Sequence, residues 1–498
     1  MSAPVLLVDG NPASPLLAAA IISIRVEQVL GVPAQLLLLF ADLPAEGGTD
    51  LRLGTAITVK ARDGVTLIEA EITAIAHQAT SGGGPTLMVR GYDRLHRLRK
   101  KQAVRALPAT SLVELVREAA DAVGATPVTP PGLPGPRFRL QHEGSDFDHL
   151  RDAAAECGCY LRLGDGRLEA FTLAGDGADA ATLRLGANLY EARIEASAEA
   201  LRRSVAVVGW GLDGDAITAR ATVAAQDQVD IEDGGALQGF EGLGDRLLPN
   251  RRADTPEEAM ALAQADLDVA AARARTFTGL AEGDPALRPG RRVSVVGVGP
   301  RADGMFVLTR AVHQFSAERG HVVELDTTPP ARPARAMQST STVGIVTNCD
   351  DPEQLGRVKA LLPAFFDNVE TDWMQVLALG AGAGKGAAIF PEIDDRVLVL
   401  FTDGDPARGV VLGGLWGRQA LPSPADAASP RAYVLRTPGG QQLTLDSHRP
   451  AIRLETAAGD LLDISPDGAR LHVTRDLTIE APGRRLRIRA DRVDFEQG

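Results

Sequence analysis

Val343-Gly344-Ile345-Val346-Thr347-Asn348 opens the stretch that decides the fold. It continues through Asp351-Pro352-Glu353-Gln354-Leu355-Gly356-Arg357-Val358-Lys359 and Asp372-Trp373-Met374-Gln375-Val376. Pro391-Glu392-Ile393-Asp394-Asp395-Arg396-Val397-Leu398-Val399 follows, and Gly404-Asp405-Pro406-Ala407-Arg408-Gly409-Val410-Val411-Leu412-Gly413-Gly414-Leu415-Trp416 ends it. Short β-branched runs alternate with Gly, Pro and Asp turns, which is the punctuation of strands. About five such strands in so short a span predict a small, closed or nearly closed barrel of the OB kind over 343–417. A barrel of this kind that binds nucleic acid needs a basic groove with aromatic platforms. Acids are many here and aromatics few, so no nucleic-acid partner is expected.

The whole chain has 498 residues, room for about three domains. Its 52 glycines and 31 prolines favour turns and β structure. A net charge of -13 argues against a general binder of phosphate backbones. Cys157, Cys159 and Cys349 supply neither a disulfide framework nor a zinc pattern. Met1 to Asp9 lacks the basic start and apolar core of a signal peptide, so synthesis in the cytoplasm without one is expected. The apolar run Leu36 to Ala41 is too short to span a bilayer.

Residues 1–107 read as β-rich. Ile22, Ile24 and Val26 alternate with Ser23, Arg25 and Glu27, and Asp63-Gly64 marks a hairpin. Residues 108–181 form an α+β insert. Ser111 and Glu114 make a capping box, Leu112, Leu115, Val116, Ala119 and Val123 a helical stripe, and Gly124 a stop. A second helix opens at Ser145 with Phe147, Leu150, Ala154 and Cys157 on one face. His142 and His149 have no third ligand in view and are expected at the surface. Residues 182–328 return to strands around one helix, opened by Thr255-Pro256-Glu257-Glu258. Linkers at 329–342 and 418–430 flank the barrel of 343–417.

The tail, 431–498, carries apolar residues in alternating pairs: Tyr433/Leu435, Leu443/Leu445, Ile452/Leu454 and Leu462/Ile464. Leu471/Val473, Leu477/Ile479, Leu486/Ile488 and Val493/Phe495 continue the series. Each pair predicts a very short strand with one apolar face. Strands this short cannot enclose a core within one chain, and an open stack exposes both faces and edges. Three chains wound about a threefold axis bury every pair, which predicts a triangular β-prism. A β-sandwich is the alternative, because alternation alone does not fix architecture.

Two glycine-rich motifs do not read as cofactor sites. Gly209-Trp210-Gly211-Leu212-Asp213-Gly214 matches the dinucleotide pattern, but a strand follows where a helix is needed. Gly380 to Gly386 resembles a phosphate loop with one residue too few and Gly386 in place of Ser or Thr. No cofactor, metal or catalytic residue is expected.

The segments DPEQLGRVK (351–359), DWMQV (372–376), PEIDDRVLV (391–399) and GDPARGVVLGGLW (404–416) resemble the OB-fold domain of the VgrG and baseplate-spike family. That family serves contractile phage tails, type VI secretion and extracellular injection particles. GYDRLHRLR (91–99), GSDFDHLRDAAAECGCYLRL (144–163), LRPGRRVSVVGVG (287–299) and GMFVLTRAVHQFS (304–316) resemble its hub segments. The resemblance implies a mainly β protein with an α+β insert. Its parts would be hub β-barrels at 1–107 and 182–328, the OB barrel, and a trimeric β-helix needle at 431–498. It also implies a homotrimeric, membrane-puncturing spike that caps a hexameric inner tube and meets baseplate proteins. Two barrels in each of three chains would match the tube's six subunits, and Arg94 to Lys101 would face a neighbouring subunit. A PAAR-repeat tip protein would dock at Asp491 to Gly498, on Val493 and Phe495. A spike-borne cell-wall hydrolase lacks space, since only 418–430 follows the OB unit, and a carbohydrate-binding OB protein has no use for the tail. The last 26 residues lack histidine, so no metal apex is expected.

Overall fold

A computed structural model describes residues 4–41, 51–80, 83–177, 180–199, 202–210, 216–222, 245–251, 253–331, 340–365, 369–402, 405, 407–426 and 432–496. The chain divides into a larger unit, Met1–Gly413, and a smaller one, Gly414–Gly498.

Alternation builds the larger unit's main sheet. Ile21–Val29 buries Ile24 and Val26, and its hairpin partner Gln35–Ala41 buries Leu36, Leu38 and Phe40. Outward from Gln35–Ala41 lie Gly83–Asp93, Thr66–Thr80, Ala56–Lys60, Val5–Val8 and Asn11–Pro12. On its other side, Ile21–Val29 pairs antiparallel with Arg310–Ser316, with Val312 opposite Glu27. From that strand the order continues Gly320–Asp326, Arg275–Glu282 and Leu189–Ala196. Each side of the seam opens with a hairpin and stays antiparallel, but the orders differ beyond it: Gln35–Ala41 is followed by Gly83–Asp93 and Thr66–Thr80, later in the chain, and Gly320–Asp326 by Arg275–Glu282 and Leu189–Ala196, earlier in it. The two β-rich halves share one 11-stranded sheet, joined where Ile21–Val29 pairs with Arg310–Ser316. Each arm wraps its own core, one around Leu38, Phe40 and Val59, the other around Phe277, Val293 and Phe306. Phe315 reaches across the seam into the first.

The insert's helices stand where their caps put them. Ser111 Oγ accepts from Glu114 N at 3.3 Å, Glu114 Oε2 accepts from Ser111 N at 2.7 Å, and Gly124 closes Leu112–Val123 at φ 66°. Asp146–Glu156 has the same box at Ser145 and Asp148, and Phe147 is a fully buried anchor between the helices. The insert's strand pair, Arg105–Thr110 with Arg137–Gln141, faces elsewhere. Phe138 and Leu140 join Val346, Val358, Val397 and Phe401 in the core of the OB barrel. Thr255 caps the helix Pro256–Ala274, which shares a core with Ser204–Trp210. That strand pairs antiparallel with Ala216–Thr222, so a strand does follow the glycine motif, whose residues 211–214 lie outside the described residues.

The OB barrel orders its strands Lys359–Leu361, Thr340–Asn348, Arg396–Phe401, Gly409–Gly414 and Gln375–Val376. It closes where Val358 and Met374 exchange backbone hydrogen bonds of 3.0 and 2.9 Å. The linker residues 332–339 and 427–430, like Arg431, lie outside the described residues.

The smaller unit is an antiparallel meander of Tyr433–Arg436, Gln442–Asp446, Ala451–Glu455, Leu461–Ser465 and Gly468–His472. This corrects the expectation of eight strands. Leu477/Ile479, Leu486/Ile488 and Val493/Phe495 lie in no strand within the chain. A ladder needs a neighbour at hydrogen-bonding distance, and after His472 this chain presents none among the described residues.

Candidate assembly surfaces

The conspicuous words of the OB segment are turn chemistry. Asp351 accepts from the backbone N–H groups of Glu353, Leu355 and Arg357 at 3.1, 2.9 and 3.3 Å. It also takes a two-pronged contact from the Arg357 guanidinium at 3.0 and 2.7 Å. The guanidinium and these N–H donors hold its carboxyl far below the usual range. The turn carries Gln354 at φ 57° and Gly356 at φ 72°, and a Cβ on Gly356 would meet the Phe390 ring at 2.9 Å. Around this fixed turn the barrel leaves Leu355, Leu377, Leu379, Ile389 and Ile393 exposed. Lys385 belongs to a tight turn closed by Gly382.

Behind the insert's strand pair lies a buried charge cluster. Arg137 and Arg139 both reach Glu156, the latter at 2.9 Å, and Arg137 lies 3.7 Å from Glu258. Glu258 accepts from Asp254 N at 2.7 Å, and Asp254 lies 3.7 Å from Arg408 of the OB segment. Insert, long helix and OB barrel thus meet through charges that are each compensated, as burial requires. His149 and His142 are not the surface histidines expected. Burial beside Arg139 pushes His149 down to about 4, and the His142 ring lies 5.1 Å from that of Phe365. The polar residues flanking each histidine in sequence gave no sign of this cover. The charge run Arg94 to Lys100 folds back on its own subunit: Arg94 and Arg97 reach Glu69 and Glu71, and Arg99 lies over Phe147.

Sequence reasoning also missed His313 and His321, because their strands look ordinary. His313 Nε2–H donates to Leu287 O at 3.0 Å, so His321 Nε2–H must donate to His313 Nδ1 at 3.1 Å. His321 stacks on Phe315 with centroids 4.0 Å apart. Burial pushes His313 to about 3 and His321 to about 4.

The tail presents the feature that bears most on function. Cross-strand register sets Tyr433, Leu445, Ile452 and Ile464 in one row and Leu435, Leu443, Leu454, Leu462 and Leu471 in a second. Both rows lie on the same face, since partners and alternate residues share a side. Nothing among the described residues of the smaller unit covers that face: Tyr433 is 74% exposed, and Leu435, Leu445, Ile452, Leu454, Leu462, Ile464 and Leu471 are exposed with it. Leu443 and Val473 are half-buried. The opposite face behaves differently at its start, where Gln442 donates to Ser423 O and Thr444 Oγ1 at 3.1 and 3.0 Å. Beyond the meander, Leu477, Ile479, Leu486, Ile488, Val493 and Phe495 are all exposed, Phe495 at 93%.

Residues 342–416 match the family described as the type VI secretion system/phage-baseplate injector OB domain. No curated protein matches the chain. Among solved structures, the chain is similar to the VgrG complexes of Francisella PdpA–VgrG. The half-lidded form has a TM-score of 0.54 at 8% identity, covering 91% of this chain and 83% of that one. The lidless form has a TM-score of 0.54 at 9% identity over 91% and 93%. An E. coli component of the type VI secretion system, described as similar to T4 phage tail proteins, reaches 0.50 at 12% identity over 79% and 96%. Identities this low speak to fold alone. The OB segment therefore belongs to the injector OB domain family of type VI secretion systems and phage baseplates, and the chain has the VgrG-like spike fold.

Proposed function

We propose that the protein works as a homotrimeric spike of a contractile injection particle, made in the cytoplasm and incorporated without chemistry of its own. The observation that carries this is the open apolar face of the meander. Two rows of Leu, Ile and Tyr in strict register, uncovered in the smaller unit, need a partner of matching repeat. Copies of the same chain supply one, and threefold closure removes the sheet edges as well. The unpaired segment after His472 would then find its ladder on neighbouring chains.

The remaining roles follow from that arrangement. Each chain carries two antiparallel arms on one sheet, so a trimer would offer six docking surfaces to a hexameric inner tube. Val493 and Phe495, exposed and outside any strand, are the place for a PAAR-repeat tip protein. Baseplate proteins and, transiently, a target membrane complete the set. Ile452→Asp with Leu454→Asp tests the reading, because six buried carboxylates per trimer cannot be tolerated. The variant is expected to run as a monomer with its hub melting unchanged, whereas an intact trimer would refute the proposed face.

A further inference from the structure

Residues 484–492 differ in charge from the rest of the tail. They hold Arg484, Arg485, Arg487, Arg489 and Arg492 against the single acid Asp491, in a chain of net charge -13. Elsewhere in the tail, charges compensate one another. Arg453 sits opposite Asp463, which sits opposite Arg470, and Arg449 reaches Asp467 at 3.1 Å. Arg492 likewise holds Asp494 at 2.7 Å. Arg484, Arg485, Arg487 and Arg489 have no carboxylate partner among the described residues, and all four are exposed.

Sequence order sharpens the contrast. Gly483, at φ 67°, turns the chain, and Arg484 N closes that turn on Ala481 O at 2.9 Å. The following residues alternate, with Arg485, Arg487 and Arg489 at odd positions and Leu486 and Ile488 between them. In an extended strand these fall on opposite faces. Burial of Leu486 and Ile488 against neighbouring chains turns the three arginines outward on every side of the rod.

We infer that Arg484, Arg485, Arg487 and Arg489, repeated around three chains, form a basic belt that docks on an anionic phospholipid bilayer. The inference rests on the trimeric needle proposed above. A belt that faces all directions suits a surface that surrounds the rod, whereas an acidic protein would engage one side. Polybasic segments are what anionic membrane surfaces attract. Guanidinium groups also grip phosphate oxygens in pairs.

The test uses the full chain with phosphatidylcholine vesicles, with and without phosphatidylglycerol, and light scattering on the same samples. The trimer should sediment with the phosphatidylglycerol vesicles, and added salt should release it. Arg485→Gln with Arg487→Gln and Arg489→Gln should stay trimeric and lose at least about tenfold in vesicle affinity. Equal sedimentation with both vesicle types, or a trimeric variant that binds like the parent, overturns the belt. Capture on a polyglutamate resin as strong as on the vesicles would assign it to an acidic protein instead, which also overturns it. A monomeric parent would refute the needle, not the belt's chemistry, so the two failures are distinguishable.

Discussion

Phe138→Ala is the perturbation that best probes how this chain is knit together. Phe138 belongs to the insert, on the strand Arg137–Gln141, yet its side chain is 8% exposed within the core of the OB barrel, beside Val358, Met374, Val397 and Phe401. Truncating a buried phenylalanine costs about 3–5 kcal/mol, through lost burial and the cavity left behind. A unit the size of the barrel and its strand pair should lose on the order of 10 °C in melting temperature. The assay is tryptophan emission. Trp373 and Trp416 lie in the OB segment, and Trp373 packs 5.2 Å from the Lys359 ammonium. Replacing Trp210 by Phe leaves only the OB reporters. A substitution some 200 residues upstream should then shift their transition. If Trp373 reports the same midpoint in Phe138→Ala while the insert melts early, the shared core is wrong.

Two further outcomes test the buried charges. Arg137→Met strips Glu156 and Glu258 of a partner inside the cluster, and removing one side of a buried ion pair costs about 3–5 kcal/mol, readable as a lower urea midpoint. The His313–His321 pair predicts an acid-sensitive seam. Both groups are depressed when folded, to about 3 and about 4, so the unfolded chain binds protons first, near the ordinary value of about 6.5. Their contribution is whole above that pH and is lost as pH falls from there to about 4. Melting temperature should decline over that window, and His313→Gln with His321→Gln should flatten the decline; an equal slope in parent and variant would contradict it.

Local signals in the sequence translated well. Ser111 with Glu114 and Thr255 with Pro256 marked helix starts because caps are satisfied within one turn. Asp351, Pro352 and Gly356 fell in one of the Gly, Pro and Asp breaks between strands, where the structure has a turn. The shared core of Phe138 and the OB strands was not legible, since Arg137–Gln141 is buried almost throughout, Arg139 and Gln141 included, and nothing local says against what. The seam between Ile21–Val29 and Arg310–Ser316 hid likewise, as pairing across nearly the whole hub leaves no local trace. His149 was misjudged because burial by distant elements is invisible at the residue itself. In the tail, alternation named the apolar pairs but overcounted strands, because each pair after His472 lacks a neighbour in its own chain.

A spike needs a partner for the tail's open face. Light scattering on the purified full chain at micromolar concentration measures that directly. The predicted mass is about three times the 52.4 kDa of the single chain, unchanged on dilution. A mass of one chain throughout would mean that the apolar rows of Tyr433 to Leu471 stay uncovered in solution, and would contradict the spike.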